Sequence, residues 1–324
     1  MQKTISIVVA IFNRKDELFE LLNSLIAQTD KDFEVIIVDD GSFVDLLPTV
    51  ETFKEMLNIQ YFKKANSGPG LSRNYGANRA KNDWLVFVDS DVIVEKDYIE
   101  NIKKNLEKTD CAAFGGADKA HKGFNLLQKA ISYSMTSVFT TGGIRGSKKA
   151  VTRFQPRSFN MGVNKEIFLK IGGFSEMRIG EDPDLSMTIW ENGYQTAFFD
   201  DIGVYHKRRT DLGKFSKQVY QFGCARPILN QRHPNYVKPT FWFPTLFLLG
   251  YVAGILEYFL LHKGFVLACY GIYTFVIFFH ALLLTKNLAI AAQAIITTYI
   301  QMFSYGYGFL ESWVKLNILR MISE

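Results

Sequence analysis

The sequence predicts an α/β domain, built on a mostly parallel sheet with covering helices, followed by C-terminal transmembrane helices. Three observations carry this. Apolar runs of strand length alternate with segments of helical period from Ile5 to Val88. The stretch from Phe241 to Trp313 holds only four charged residues, Glu257, Lys263, Lys286 and Glu311. The chain of 324 residues, with 48% hydrophobic and 21% charged residues, is too apolar to be disordered.

Taken in order, Ile5 to Ile11 reads as a buried strand. The apolar run is cut by Asn13, Arg14, Lys15 and Asp16 before the core of a secretory leader is complete. Residues 16–28 read as a helix with Leu18, Leu21, Leu22 and Leu25 on one face, and residues 33–38 as a second strand, which makes a βαβ opening. A helical stretch over 46–57, a short strand over 59–62, a helix beginning near Pro69 and a strand over 84–88 continue the alternation.

A helix crosses the hydrocarbon core in about 20 apolar residues, and the tail divides into three such lengths, 241–261, 264–285 and 288–310. His262-Lys263-Gly264 and Lys286-Asn287 are too short for anything but tight hairpins. Core helices of a large soluble protein are the alternative, but they would need polar faces that these segments lack. The basic residues Lys207, Arg208, Arg209, Lys214, Lys217, Arg226, Arg232 and Lys238 precede the first span and place the large domain in the cytoplasm. Three crossings put Lys315 and Arg320 on the far side, whereas a third segment that re-enters or lies flat keeps them inside. Residues 212–230, with Leu212, Phe215, Val219, Phe222 and Gly223 at helical spacing, read as an interfacial helix. The expected organisation is a cytoplasmic domain over 1–210, an amphipathic linker over 211–240 and a membrane region over 241–324, in a multi-pass protein of the cell inner membrane or plasma membrane.

Several function classes are excluded. Basic and acidic residues nearly balance before Phe241, so no basic stripe for nucleic acid is present. Cys111, Cys224 and Cys269 are widely spaced with no CxxC pair, which suits neither a zinc site nor a disulfide framework and fits a reducing compartment. Ala10-Ile11-Phe12-Asn13-Arg14 follows the first strand where a dinucleotide fold would carry GxGxxG. Parallel sheets bind ligands at the carboxyl ends of their strands, which directs attention to Asn13, Asp39, Asp40, Asp89 and Asp91.

Four motifs lie in order along the chain: Val8-Val9-Ala10-Ile11-Phe12-Asn13, Val38-Asp39-Asp40-Gly41-Ser42, Asp89-Ser90-Asp91 and Gly180-Glu181-Asp182. Together they resemble a family 2 glycosyltransferase of GT-A fold, over about residues 4 to 210. The resemblance implies transfer of a sugar from a UDP- or GDP-sugar, with Mn²⁺ or Mg²⁺ as cofactor. A cation bridging both phosphates neutralises the leaving group, and Asp89 and Asp91 offer the hard oxygen ligands it needs. One intervening residue lets both carboxylates project to one side of the strand end.

By resemblance Asp91 sits on the metal and Asp89 faces ribose or metal. Asp40 accepts from the nucleotide base while Asp39 supports the loop. Phe12 lies against the base, and Arg73, in Pro69-Gly70-Leu71-Ser72-Arg73-Asn74, contacts the nucleotide together with Glu181. Asp182 is the base that takes the acceptor hydroxyl's proton, and a single displacement of this kind inverts the anomeric centre. His206 completes the metal shell, and Lys207, Arg208 and Arg209 hold the diphosphate. Each has a plainer alternative: Asp39, Asp40, Asp89, Asp91 and Asp182 as turn or helix caps, Phe12 as core, Arg73 as a solvated cation, His206 as a structural residue.

The expected activity is therefore membrane-anchored, metal-dependent transfer to a lipid-linked or glycolipid acceptor. A processive polysaccharide synthase is a second reading, weakened because Gln221-Phe222-Gly223-Cys224-Ala225-Arg226 departs from the Q-x-x-R-W of such enzymes. A non-catalytic membrane scaffold is a third, weakened by the retention of Asp89, Asp91 and Asp182. Residues 119–155, with Gly142, Gly143, Gly146, Lys148, Lys149 and Arg153, read either as a mobile basic segment near the acceptor or as a surface insertion.

Overall fold

The computed structural model describes residues 3–119, 124–141, 153–206 and 211–321. They form two compact units, one of Met1–His121 and Lys148–Lys207, the other of Lys122–Ser147 and Arg208–Glu324.

The first unit begins with β1 (Ile5–Ile11), α1 (Lys15–Ile26), β2 (Phe33–Asp39), α2 (Leu47–Glu51), β3 (Ile59–Lys63), α3 (Pro69–Ala77), β4 (Trp84–Asp89), β5 (Val92–Val94), α4 (Tyr98–Lys108) and β6 (Ala113–Lys119). The second unit takes the next two helices, α5 (Leu126–Thr136) and α6 (Val138–Thr141). The chain then returns to the first unit as β7 (Asn160–Asn164), α7 (Lys165–Lys170), α8 (Glu181–Glu191) and β8 (Thr196–His206).

Among the described residues the sheet has eight strands, in the order β3-β2-β1-β4-β7-β6-β8-β5. Its first four are mutually parallel, as expected from continuous apolar strands covered on both faces. Next to them β7 runs antiparallel to both β4 and β6. The carboxyl ends of β1, β2 and β4 therefore share one edge, the place where such sheets bind ligands.

Two local differences from the sequence expectation have physical causes. Regular helix in the 46–57 segment stops at Glu51, and turns such as Phe53 N–H to Val50 C=O and Met56 N–H to Phe53 C=O carry the chain on. The buried set Leu46, Val50, Phe53 and Leu57 keeps its spacing through those turns. The strand β7 gave no signal because its centre is Gly162, where any Cβ would overlap the ring of Phe114.

The second unit is helical: α5 and α6, then α9 (Leu212–Arg232), α10 (Phe243–Leu261), α11 (Phe265–Thr285) and α12 (Leu288–Asn317). Among the described residues, three helical segments are long and apolar enough to cross a membrane, Pro239–Leu261, Phe265–Thr285 and Leu288–Asn317. Within this unit α5 buries Ile131 and Met135 against Phe215 and Val219 of α9, and Tyr133 against Ile277, Ala281, Ala291 and Ala294. That packing places residues 126–141 with the apolar helices, although the sequence expectation set them inside a continuous 1–210 domain.

Close approach of α9 and α12 depends on glycine. A Cβ at Gly223 would strike the Tyr305 carbonyl, and one at Gly308 the Tyr220 carbonyl. Beside them Ser216 and Ser304 share a hydrogen bond at 2.9 Å, and Tyr220 donates to Glu311 at 2.7 Å. Gly308→Val is expected to force the pair apart at a cost of about 1–3 kcal/mol, read as a lower unfolding midpoint in detergent. An unchanged midpoint would contradict this packing.

Candidate active site

The loops that follow β1 and β2 are laced into one rim. Asn13 takes a positive φ of 56°, a conformation asparagine tolerates better than most residues. Its N–H donates to Ser42 Oγ and its Oδ1 accepts from the Phe43 N–H, both at 2.8 Å. Phe12 and Phe43 meet edge to face with centroids 6.0 Å apart. Phe12 is 42% exposed and Phe43 90% exposed, so Phe12 is not a core residue.

Asp39 and Asp40 divide the work behind that rim. Asp39 is fully buried, accepting from Ser42 N–H at 2.8 Å and from the Tyr61 hydroxyl at 2.7 Å. Asp40 accepts from the N–H groups of Ser67 and Gly68, both at 2.9 Å, and from Lys64 Nζ. Burial opposes its charge, but Lys64 and these amides outweigh it and hold the carboxyl below its usual range. Neither aspartate caps α2, whose N-cap is Leu46. Both instead shape the floor formed by residues 63–68.

At the end of β4 the two acids of Asp89-Ser90-Asp91 are each met by an arginine. Arg73, on α3 and 4% exposed, donates to Asp89 at 2.7 Å and to Glu181 at 2.9 Å. Arg14, just after β1, bonds Asp91. Burial works against the Arg14 charge, but Asp91, and beyond it Asp89 and Glu17, hold its pKa above the ordinary value. The acids cap no helix: Val92–Val94 is a strand, and Asp97 is the N-cap of α4.

The motif Gly180-Glu181-Asp182 opens α8. Gly180 is its N-cap, in the left-handed region at φ 90°, and no side chain caps the helix, so Asp182 is not a capping residue. Glu181, Asp182 and Asp184 lie in the first turn, where the helix dipole favours negative charge. Arg157 lies 3.6 Å from the Asp182 carboxylate.

Burial, and then the neighbouring Asp182, push the Glu181 carboxyl up to about 7 against the pull of Arg73. Between its ordinary value of 4.5 and about 7, the folded protein retains a proton that the unfolded chain has released. The stability contributed by this group is therefore full at low pH and lost as pH rises through that window. Glu181→Gln is expected to flatten the decline of the unfolding midpoint between about pH 5 and pH 7. Parallel curves for parent and variant would contradict the assignment.

Arg73 thus joins Asp89 to Glu181, Arg14 holds Asp91, Asp40 binds the residues just before α3, Asp182 adjoins Glu181 and faces Arg157, and Phe12 lies on the rim. Arg73 is buried between two carboxylates, not solvated. The backbone of His206 ends β8 in register with Val92, the residue after Asp91, while its side chain, Lys207, Arg208, Arg209 and the whole of residues 142–152 lie outside what the structure describes. Two site residues escaped the sequence reading. Arg14 carried a signal, since it directly follows the first motif; Arg157 carried none.

Among the described residues no three His, Cys, Asp or Glu side chains gather as a metal-binding group. The donor chemistry nevertheless fits a hard divalent cation. Asp89 and Asp91 supply two carboxylates one residue apart, and the Asp89 side chain is 32% exposed. A magnesium-like ion commonly takes one or two carboxylates and fills its shell with substrate phosphates and water.

Comparison with known proteins gives a family and a fold. The family model described as "Glycosyl transferase family 2" matches residues 6–171. A protein of Haemophilus influenzae, described as an uncharacterized glycosyltransferase, is 31% identical over 202 residues, 60% of this chain and 64% of that protein. Other curated glycosyltransferases match over 18% of their own length. Among solved structures, the mannosyltransferase PcManGT of Pyrobaculum calidifontis, in complex with GDP-Man and Mn²⁺, superposes with a TM-score of 0.59 at 17% identity, covering 93% of this chain and 87% of that one. Residues 1–349 of Staphylococcus aureus TarS, in complex with UDP-GlcNAc, give a TM-score of 0.52 at 17% identity over 95% and 91% of the two chains. These superpositions establish a shared fold.

Proposed function

The chain belongs to glycosyl transferase family 2, and from that membership we propose a metal-dependent, inverting transferase that moves one sugar from a UDP- or GDP-sugar to a lipid-linked or glycolipid acceptor. One observation carries the reading: Arg73 joins Asp89, at the end of β4, to Glu181, the neighbour of Asp182. Donor-side and acceptor-side acids are thereby held in a single framework.

In this reading the nucleobase packs on Phe12 above the floor shaped by Asp40. Asp89 and Asp91 would hold Mn²⁺ or Mg²⁺, with His206 as a further ligand; when bound, the cation neutralises the leaving diphosphate. Asp182 accepts the proton of the attacking hydroxyl. Attack from the side opposite the diphosphate inverts the anomeric centre. The name UDP-GlcNAc on one related structure and GDP-Man with Mn²⁺ on another support a nucleotide-sugar donor and a divalent metal.

The acceptor is proposed from the apolar helices. A catalytic unit on a membrane anchor meets substrates that cannot leave the bilayer, and basic residues ahead of the first span favour a cytoplasmic catalytic unit in a multi-pass protein. The test is transfer by the full chain in detergent, with UDP- and GDP-sugars, a membrane lipid extract and Mn²⁺ or Mg²⁺, the anomeric product being assigned by NMR. Asp91→Ala is expected to abolish the metal-stimulated rate. Full activity in a folded Asp91→Ala protein, or in excess chelator, would refute metal dependence. Transfer to water-soluble glycans alone would refute the lipid acceptor. Asp40→Ala is expected to weaken nucleotide binding on the order of ten-fold or more, through loss of about three hydrogen bonds to the floor.

A further inference from the structure

The two acids that follow β4 are neutralised in different ways. The Arg73 guanidinium is 4% exposed and fixed at both ends by Asp89 and Glu181. Arg14 is not built in this manner. It lies on the short connection between β1 and α1, its side chain is 30% exposed, and it reaches Asp91 from the rim. Its backbone is aimed by Asn13, whose positive φ and paired bonds to Ser42 and Phe43 fix the loop. A long cation on a fixed stem can leave its partner without disturbing the fold.

Asp91 cannot do without a counter-charge. Its side chain is 9% exposed, and an ionised carboxylate so far out of water is costly unless paired. Resting on the donor-site reading above, we infer that Arg14 is an exchangeable counter-ion: it neutralises Asp91 while no donor is bound, yields Asp91 to the incoming divalent cation, and then binds the donor's diphosphate. Asp91 is neutralised before and after the exchange, and only the identity of its partner changes. The released guanidinium lies beside a group that suits its fork of donors, since a diphosphate presents paired anionic oxygens. Arg73 takes no part in the exchange, because moving it would strand Glu181 as well.

Two effects of opposite sign follow from removing Arg14. In the donor-free protein the cation no longer competes with a guanidinium, so Mn²⁺ alone binds more tightly. With nucleotide present a diphosphate ligand is missing, so the nucleotide binds more weakly. A merely structural arginine would produce no such split.

The experiment measures Mn²⁺ binding to full-length protein in detergent by electron paramagnetic resonance, first alone and then with UDP or GDP. For Arg14→Gln the expected result is Mn²⁺ affinity raised on the order of ten-fold without nucleotide, and nucleotide affinity in saturating Mn²⁺ lowered on the order of ten-fold. Arg14→Lys keeps the charge without the fork and should fall between parent and Arg14→Gln on both scales. If Arg14→Gln does not fold, the same two shifts, smaller in size, are required of Arg14→Lys. Unchanged or weaker Mn²⁺ binding in the donor-free variant overturns the inference. Asp91→Asn separates the two levels. If it loses Mn²⁺ binding while Arg14→Gln fails to gain it, only the counter-ion role falls. If Asp91→Asn still binds Mn²⁺ normally, the metal site assigned to Asp91 falls, and the role of Arg14 with it.

Discussion

Asp182→Asn is expected to lower kcat by roughly 10²–10⁴-fold, the range associated with general-base catalysis, and to leave the dissociation constant of the nucleotide nearly unchanged. The amide keeps the size of the side chain and cannot take the acceptor's proton. The helix that presents it should persist, because Gly180 supplies the N-cap of α8 and no side chain caps that end. Loss of the contact with Arg157, 3.6 Å away and partly exposed, should cost little stability. Donor hydrolysis by water, measured without acceptor, should fall in step with transfer if the same carboxylate activates both nucleophiles. A folded variant with parental kcat would remove Asp182 from the chemistry, and a large loss in nucleotide binding with kcat intact would reassign it to the donor side.

Much of this arrangement could be read before the fold was known, for reasons that differ from element to element. The strands β1, β2 and β4 are nearly all apolar because helices cover both faces, and acids at their ends stand out against that background. The three apolar helices followed from an absence of charge over lengths suited to a bilayer. Reading failed where geometry is made by small residues or distant partners. Gly162 hides β7, because a strand centred on a glycine that accommodates Phe114 has no alternation to detect. The 126–141 segment resembles loop-rich sequence on its own, and its apolar residues find partners on helices α9, α11 and α12, far along the chain. Arg73 shows the limit within the site itself. The sequence offered it as a nucleotide contact by resemblance or as a solvated cation, and gave no sign of the two carboxylates that surround it, which come from residues 16 and 108 positions away.

That burial makes Arg73 the position where substitution should damage the fold most. Removing a buried cation leaves its partners uncompensated, at a cost of about 3–5 kcal/mol, so Arg73→Met should lower the unfolding midpoint sharply. Phe174 adds a ring 5.4 Å from the guanidinium, and the Nε has no hydrogen-bond partner among the described residues. The value of Arg73 thus lies in its two terminal nitrogens. A lysine presents one compact charge in place of a fork, so Arg73→Lys should hold Asp89 or Glu181 but not both. The pH dependence identifies which loss matters. Without Arg73, the pull that lowers the Glu181 carboxyl is gone, its folded pKa rises further, and the variant should gain stability as the solution is acidified toward the ordinary carboxylate range. Adding Glu181→Gln should recover part of the loss at neutral pH and abolish that gain on acidification, because the buried acid that lacked a partner is no longer present. Asp89, a third exposed, can turn to water and needs no such rescue. If the Arg73→Met, Glu181→Gln double variant is as unstable as the sum of its single changes, the two side chains do not interact, and the framework joining the donor side to the acceptor side does not exist.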